Sequence, residues 1–220
     1  MSTKGTGPAS DWREIDTFDG GFGWIAYPEE GMQRASHGLV VDDEVWLVDP
    51  VDAEGLDEYV AEYGEVAGVV ILLDRHKRDC AAIARRHDVP VTRPPGVTRE
   101  FDVPTRDVSG TLPGTDYEFL SVQDWPGWRE VGLWNGETLV VPESLGTNSF
   151  SLAGGERLGL NPVARLAPPR HLSEYDPERI LVGHGHPVLD DAPAALRDAL
   201  ANARRRLPRA WFGAARAIVR

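Results

Sequence analysis

Hydrophobic and polar positions in the first half of the chain alternate in blocks that predict strands and helices in turn. The segment HGLVVDDEVWLVDP (37–50) indicates two strands around a turn at Asp42-Asp43, ending at Asp49-Pro50. GVVILL (68–73) is a continuous apolar run, which is typical of a strand buried on both faces. The remaining segments predict helices at 56–64 and 79–88 and a returning strand at 89–95. This alternation predicts an α/β layered architecture.

The second half of the chain has a pattern dominated by strands. DYEFLSVQ (116–123) predicts a strand, and EVGLWNGETLVVPE (130–143) predicts a hairpin whose Asn135-Gly136 pair is a type I′ turn signal. Residues 144–170 contain many Gly, Pro and Ser residues and give no clear assignment. The last predicted elements are a strand at 180–182 and a helix at 192–207, with Leu196, Leu200, Ala203 and Leu207 on its apolar face.

Length and end composition indicate one domain with two tails. A chain of 220 residues lies close to the usual size of a single domain, roughly 100–200 residues. We predict a flexible tail at 1–10, a single domain at 11–207 and a basic, aromatic tail at 208–220. The first residues lack the apolar core of a signal peptide, and no apolar run approaches the roughly 20 residues that span a bilayer. The sequence therefore predicts a soluble, cytoplasmic protein.

The charge of the chain is strongly negative, at −12, with 35 acidic and 23 basic residues. Such a field repels polyanions, so we expect neither nucleic acid nor a membrane surface as a partner. The basic residues are arginines except for Lys4 and Lys77. This composition fits a high-GC genome or a halophilic cytoplasm and does not separate the two. Cys80 is the single cysteine of the sequence, which excludes an intrachain disulfide.

The stretch ILLDRHKRDC (71–80) changes abruptly from apolar to charged, as a strand leading into a metal-binding turn does. It stands in a series of landmarks: LVDP after a hairpin, the charged turn, WPGW, VVPE and ILVGHG. In this order, from residue 35 to about residue 200, they resemble the metallo-β-lactamase superfamily. The resemblance implies an α/β (α+β) fold, the αββα sandwich, with metals at one edge between the sheets.

The resemblance also implies where metal ligands belong: in an H-x-H-x-D-H turn, after a Pro-Gly pair, at the end of a hairpin strand and in a Gly-His-Gly loop. We anchor the alignment on Asp79, because DCAAIA resembles the helix start of the family. An alternative alignment, anchored on the strand, places Asp74 and His76 at the first two ligand positions and needs one inserted residue. With the preferred anchor, the ligand positions hold Arg75, Lys77, Asp79, Cys80, Trp128, Glu143 and His184.

These substitutions fall unevenly on the two metal positions of the family. One metal position would be held by Arg75, Lys77 and Trp128, which do not bind zinc. The other keeps four chemically competent ligands, so the sequence permits a single metal. We expect no bound metal; if one is held, it is a single zinc, iron or manganese ion. The ligands of that candidate site are Asp79, Cys80, Glu143 and His184, and the residues expected to bind a small anionic molecule are Arg75, Lys77, Trp128 and His186.

Two classes of function are compatible with these residues. We prefer a non-hydrolytic relative or pseudoenzyme that binds a small anion, because catalysis in this family depends on metal-activated water. The alternative is a single-metal hydrolase of an ester, thioester or phosphoester. In further interpretations, the C-terminal tail forms a homo-oligomer, Asp79 caps a helix in a solvated loop, or Cys80 is a nucleophile activated by His184 or nearby cations.

Overall fold

The computed structural model describes residues 7–76 and 78–212. Its helices are α1 (Leu56–Ala61), α2 (Cys80–Arg86) and α3 (Ala192–Asn202), with a 3₁₀ turn at Arg170–Glu174. Its strands are β1 (Trp12–Phe18), β2 (Gly21–Ala26), β3 (Ala35–Val41), β4 (Glu44–Val48), β5 (Glu65–Val70), β6 (Val91–Arg93), β7 (Thr105–Asp107), β8 (Glu118–Trp125), β9 (Trp128–Trp134), β10 (Thr138–Val141), β11 (Leu145–Gly146), β12 (Gly159–Leu160) and β13 (Arg179–Val182).

Two mixed sheets form the centre of the fold. The larger sheet has the order β1-β2-β3-β4-β5-β6-β7, antiparallel from β1 to β4 and parallel from β4 to β7. The smaller sheet has the order β13-β10-β9-β8, with β13 and β10 parallel. A short pair, β11 with β12, stands apart from both sheets.

Alternation of side chains along the strands produces the layers. In β4, Val45 and Leu47 pack with residues of α1 and α2, whereas Trp46 and Val48 pack with residues of the smaller sheet. On the other side, Leu139 and Val141 of β10 pack with the apolar face of α3. The order of layers is therefore helix, sheet, sheet, helix, and the predicted αββα sandwich is confirmed.

The two predicted hairpin turns differ in the structure. Asp42 and Asp43 both have positive φ, 51° and 63°, as a type I′ turn between β3 and β4 requires. Asn135 does not adopt a positive φ, so the type I′ prediction at Asn135-Gly136 is wrong. Instead the Asn135 carboxamide oxygen accepts from the main-chain N–H groups of Glu137 and Thr138 at 3.1 and 2.7 Å. Trp134 pairs with Leu139, so four residues lie between the paired positions instead of the two of a type I′ hairpin.

Several element boundaries differ from those predicted. Helix α3 ends at Asn202, and the chain is helical again from residue 207 to residue 212. The strand predicted at 68–73 begins and ends three residues earlier, as β5. Strands β1, β2 and β7 had no counterpart in the prediction. None of the described helices has the length and apolar character needed to cross a membrane.

The structure describes only part of each predicted tail. Within the tail predicted at 1–10, residues 1–6 lie outside the described part, whereas Ala9 is fully buried and bridges to Ala53. At the other end, Trp211 and Phe212 are exposed and residues 213–220 lie outside the described part. The predicted role of this tail in oligomerisation stays a prediction.

Functional side chains meet at one edge of the sandwich because four strands end there. Asp49 follows β4, the loop 71–79 follows β5, Glu143 follows β10 and His184 follows β13. Within each sheet the two strands concerned are parallel neighbours, so their carboxyl ends lie side by side. Such strand ends are the usual place for sites in α/β sheets.

Candidate metal centre

Three side chains from three separate loops converge at this edge. The Glu143 Oε2 atom lies 3.2 Å from His76 Nε2 and 3.1 Å from His184 Nε2. One ligand atom from each residue lies within 4.8 Å of the other two. His76 and His184 are each 8% exposed, so the cluster lies just below the surface.

His76 is oriented by a buried carboxylate. Its Nδ1 atom lies 2.8 Å from Asp49 Oδ2, and Asp49 Oδ1 accepts from the Leu72 main-chain N–H at 3.2 Å. Burial alone would raise the pKa of Asp49, but the charge and hydrogen bond of His76, with Arg78 nearby, hold it below its ordinary value. Burial alone would lower the pKa of His76, yet Asp49 raises it above the ordinary value. The ionised carboxylate therefore requires a proton on the Nδ1 atom of His76.

His184 is oriented in the same way by a carbonyl group. Its Nδ1 atom lies 3.0 Å from the main-chain oxygen of Met32, which can only accept. The flanking glycines allow this approach: a Cβ on Gly183 would collide with the Pro142 carbonyl, and Gly185 has φ of 93°. The Gly-His-Gly sequence thus lets the loop pass close to the end of β10 while the imidazole faces Glu143.

Glu143 is held from both its side chain and its main chain. Asn161 Nδ2 donates to Glu143 Oε1 at 2.7 Å. The Glu143 main-chain N–H donates at 2.9 Å to Oε1 of Glu130, a fully buried carboxylate that also accepts from the Ser144 N–H at 2.7 Å. The other Glu130 oxygen accepts from the Ser144 hydroxyl and, at 2.8 Å, from Trp128 Nε1. Burial raises the pKa of Glu130 in spite of these four donors.

The resulting electrostatics favour a cation at the point of convergence. Because both Nδ1 atoms donate outward, a ring that carries only this one proton turns the lone pair of its Nε2 atom towards the Glu143 carboxylate. When the Nε2 atoms carry protons instead, their hydrogen bonds and charge hold the pKa of Glu143 well below its usual range, although burial opposes ionisation. Three acceptors facing one another need protons or a metal ion between them. In a tetrahedral site with bonds of about 2.0–2.1 Å, ligand atoms lie roughly 3.3 Å apart. The distances from Glu143 Oε2 to the two histidine nitrogens, 3.2 and 3.1 Å, are compatible with this value.

Comparison with known proteins identifies the architecture around this cluster. No protein-family model matches the sequence, and no curated protein does. Among solved structures, the metallo-β-lactamase DIM-1 exposed to ceftazidime gives a TM-score of 0.62 at 14% identity, covering 90% of this chain and 100% of that chain. FIM-1 from Pseudomonas aeruginosa, in its mono-zinc form, gives 0.62 at 10% identity, with 93% and 98% covered.

The chain has the metallo-β-lactamase fold. The resemblance predicted from the sequence is thereby confirmed at the level of the fold. The metal-soaked flavodiiron core of Flv1 from Synechocystis is also similar, with a TM-score of 0.60 at 14% identity, covering 91% of this chain and 62% of that one. At these identities the likeness establishes architecture, and the chemistry of this chain has to be argued from its own residues.

On this metallo-β-lactamase fold, the predicted ligand set is divided. Glu143 and His184 are brought together, but Asp79 and Cys80 are not part of the cluster. The Asp79 carboxylate accepts from the Asp52 main-chain N–H at 2.9 Å, and although Asp79 is the N-cap residue of α2, its side chain makes no capping bond. Cys80 is fully buried in the apolar cluster beneath the helices, and burial raises the pKa of its thiol. The helix turns Cys80 inward, which also argues against a nucleophilic role.

His76 takes the place that Asp79 and Cys80 were predicted to fill. The preferred alignment excluded it, whereas the alternative alignment placed it at a ligand position. Its partner Asp74 in that alignment is turned away, since the Asp74 carboxylate accepts from Thr98 and Arg99 main-chain N–H groups at 2.7 and 2.9 Å. The supporting residues Asn161 and Glu130 carried no recognisable signal in the sequence, and Asp49 was visible only as the end of a strand.

The predicted anion-binding residues also separate. Arg75 lies over the ring of Trp128, with 4.3 Å between the guanidinium carbon and the ring centroid. Lys77 lies outside the described residues. His186 is exposed, with its Nε2 atom 3.4 Å from a guanidinium nitrogen of Arg13. Arg75 and Trp128 are therefore the members of this set that the structure pairs directly.

Proposed function

We propose that this protein is a hydrolase that holds a single metal ion with His76, Glu143 and His184 and cleaves an ester, thioester or phosphoester. The observation that carries the proposal is the shared orientation of the two histidines. Each donates its Nδ1 proton to an acceptor outside the cluster and directs Nε2 at the same carboxylate oxygen. Metal-binding histidines are characteristically fixed through the other ring nitrogen in this manner.

The donor set suits a catalytic metal better than a structural one. Two imidazoles and one carboxylate leave a tetrahedral ion with one open position, as in catalytic zinc sites, whereas structural sites close with four protein ligands. When bound, such an ion supplies a Lewis acid that polarises a carbonyl or phosphoryl oxygen and activates water. Among the described residues no fourth ligand joins the cluster.

The remaining residues hold the three ligands in place. Asp49 and the Met32 carbonyl fix the tautomers of the histidines, and Asn161 leaves the Oε2 atom of Glu143 facing the ring nitrogens. Beneath them, the buried guanidinium of Arg78 donates to the carbonyl oxygens of Asp49 and Gly183 at 3.0 and 2.8 Å. These bonds tie the ends of β4 and β13 together across the two sheets.

The same contacts favour a second function, anion binding without hydrolysis, if protons rather than a metal ion lie between His76, Glu143 and His184. A doubly protonated His76 beside the ionised Glu143 satisfies both groups without a metal, in agreement with the directions in which their pKa values shift. In that case the cluster is an ion-paired structural element. The two functions make opposite predictions about chelators.

Elemental analysis of protein purified without chelators or metal-affinity resin tests the proposal. We expect about one zinc, iron or manganese ion per chain in the wild type, a loss of it in His76→Ala, and no loss in the control His171→Ala. A metal present at 100 times its Kd adds about 2.7 kcal/mol to the free energy of unfolding, and chelation should lower Tm by roughly 5–10 °C.

Hydrolysis of an aryl ester, a thioester and an aryl phosphodiester by the same preparations gives the second readout. His76→Ala should lose whichever activity the wild type has, and His171→Ala should keep it. Absence of stoichiometric metal, together with a Tm that chelators leave unchanged, would instead support the anion-binding function.

A further inference from the structure

Arg75 directly precedes the candidate ligand His76 and carries a charge that no other described residue neutralises. Its side chain is exposed and stacks on the Trp128 ring, and no hydrogen bond or ion pair connects it to the other described residues. By contrast, arginines such as Arg86 and Arg93 are paired with carboxylates at 2.6–2.8 Å. Stacking covers one face of the guanidinium and leaves its in-plane N–H donors available to a ligand.

The main chain that carries Arg75 is fixed. The His76 N–H donates to the Leu73 carbonyl at 2.9 Å, which closes a turn with Asp74 and Arg75 at its centre. The Asp74 carboxylate anchors this turn to the neighbouring loop through the N–H groups of Thr98 and Arg99. The main chain fixes the starting point of the Arg75 side chain, and the stack on Trp128 restricts its guanidinium, so less freedom is lost when an anion binds.

The aromatic surface below Arg75 is fixed as well. Trp128 is 5% exposed, and its Nε1 donates to Glu130, the same carboxylate that accepts from the main chain of Glu143. Arg75 itself directly precedes His76 in the chain. The Arg75–Trp128 pair is thus connected to two of the three candidate ligands, one by the chain and one through Glu130.

We propose that Arg75 selects substrates that carry an anionic group, a carboxylate or a phosphate, beside the bond that is cleaved. This rests on the proposed hydrolytic function and assigns a substrate class to the same site. A planar guanidinium forms two parallel hydrogen bonds to either oxyanion. In a chain with net charge −12, a local cation is needed to attract such a substrate against the surrounding field.

Paired substrates test the proposal on the metal-loaded protein. Para-nitrophenyl acetate is neutral, and the mono-para-nitrophenyl ester of succinate has the same leaving group and an added carboxylate. Arg75→Ala should raise KM for the succinate ester at least about tenfold, because a charged hydrogen-bond pair is lost. It should leave kcat within about twofold and leave KM for the acetate ester unchanged. Arg75→Lys should recover part of the effect, and the exposed control Arg106→Ala should match the wild type.

Calorimetric titration with succinate and with inorganic phosphate measures anion binding without catalysis. Loss of binding of either anion in Arg75→Ala supports the proposal, and the two titrations distinguish a carboxylate site from a phosphate site. An equal change in KM for both esters, or anion binding that Arg75→Ala leaves unaltered, would overturn it. If the wild type hydrolyses none of the ester, thioester and phosphodiester substrates, the hydrolytic function fails, and the titrations still decide the role of Arg75.

Discussion

Glu130→Gln probes how the buried core controls the candidate metal centre. Glu130 is fully buried and accepts from four donors, of which two are the main-chain N–H groups of Glu143 and Ser144. Glutamine keeps the size of the side chain but offers one acceptor oxygen and one NH₂ group. If the amide oxygen retains the two main-chain bonds, the NH₂ group faces the Trp128 Nε1–H, and two donors oppose each other. In the reverse orientation, the NH₂ group instead faces the main-chain N–H groups of Glu143 and Ser144.

The cost of the better orientation is that of one buried donor without an acceptor. Such a group destabilises a protein by about 1–3 kcal/mol. For a chain of this size each kcal/mol lowers Tm by about 2–4 °C. Relaxation of the conflict displaces the segment that carries Glu143, and loss of a supporting contact typically weakens metal binding by about 10–100-fold.

Two measurements on one preparation separate these effects. Urea denaturation, followed by tryptophan fluorescence, gives the free energy of unfolding, and competition with a chromophoric chelator gives the Kd for zinc. The control is Asp52→Asn, which removes the charge of a buried carboxylate and so weakens its ion pair with Arg86 of α2, 2.8 Å away. We expect both variants to lose stability but only Glu130→Gln to lose zinc affinity. A destabilised Glu130→Gln variant with unchanged zinc Kd would refute the argument that Glu130 positions Glu143.

Two further predictions concern Cys80 and Asp16. Cys80→Ala should keep its full metal content by elemental analysis, because the thiol lies in the apolar core; loss of metal comparable to that in His76→Ala would contradict the geometry. Asp16 is buried with both carboxylate oxygens unpartnered among the described residues, and burial, with the charge of Glu14, raises its pKa to about 7. Because the unfolded carboxyl ionises near pH 4, Asp16 should make folding less favourable as pH rises from about 4 to 7. Asp16→Asn should therefore add up to about 4 kcal/mol at pH 8 and almost nothing at pH 4; equal effects in urea titrations at both pH values would disprove this.

The layered fold was predictable because the apolar residues that a strand or helix buries recur at regular intervals in the sequence. The apolar run at 68–73 and the hairpin at 37–50 mark strands whose two faces both contact other layers, and their order matches the metallo-β-lactamase fold. Glu143 and His184 were predicted from the resemblance to the family, which implies ligands at the end of a hairpin strand and in a Gly-His-Gly loop, and each lies two residues after a strand. The strand β2 was missed because GGFGWIAY, with its glycines and continuous burial, lacks a clear alternation.

The choice among the residues of the charged turn was made by tertiary structure. In DRHKRDC every side chain is polar or ionisable, so composition does not state which one faces the site. The turn is set by the bonds of Asp74 to Thr98 and Arg99, which are 24 and 25 residues away, and it directs His76 inward and leaves Arg75 exposed. Likewise, Asp49 and the Met32 carbonyl become supports of His76 and His184 only when the strand ends meet. Hydrophobic periodicity is a local property that sequence records directly, whereas the direction of a polar side chain depends on partners that folding brings from elsewhere in the chain.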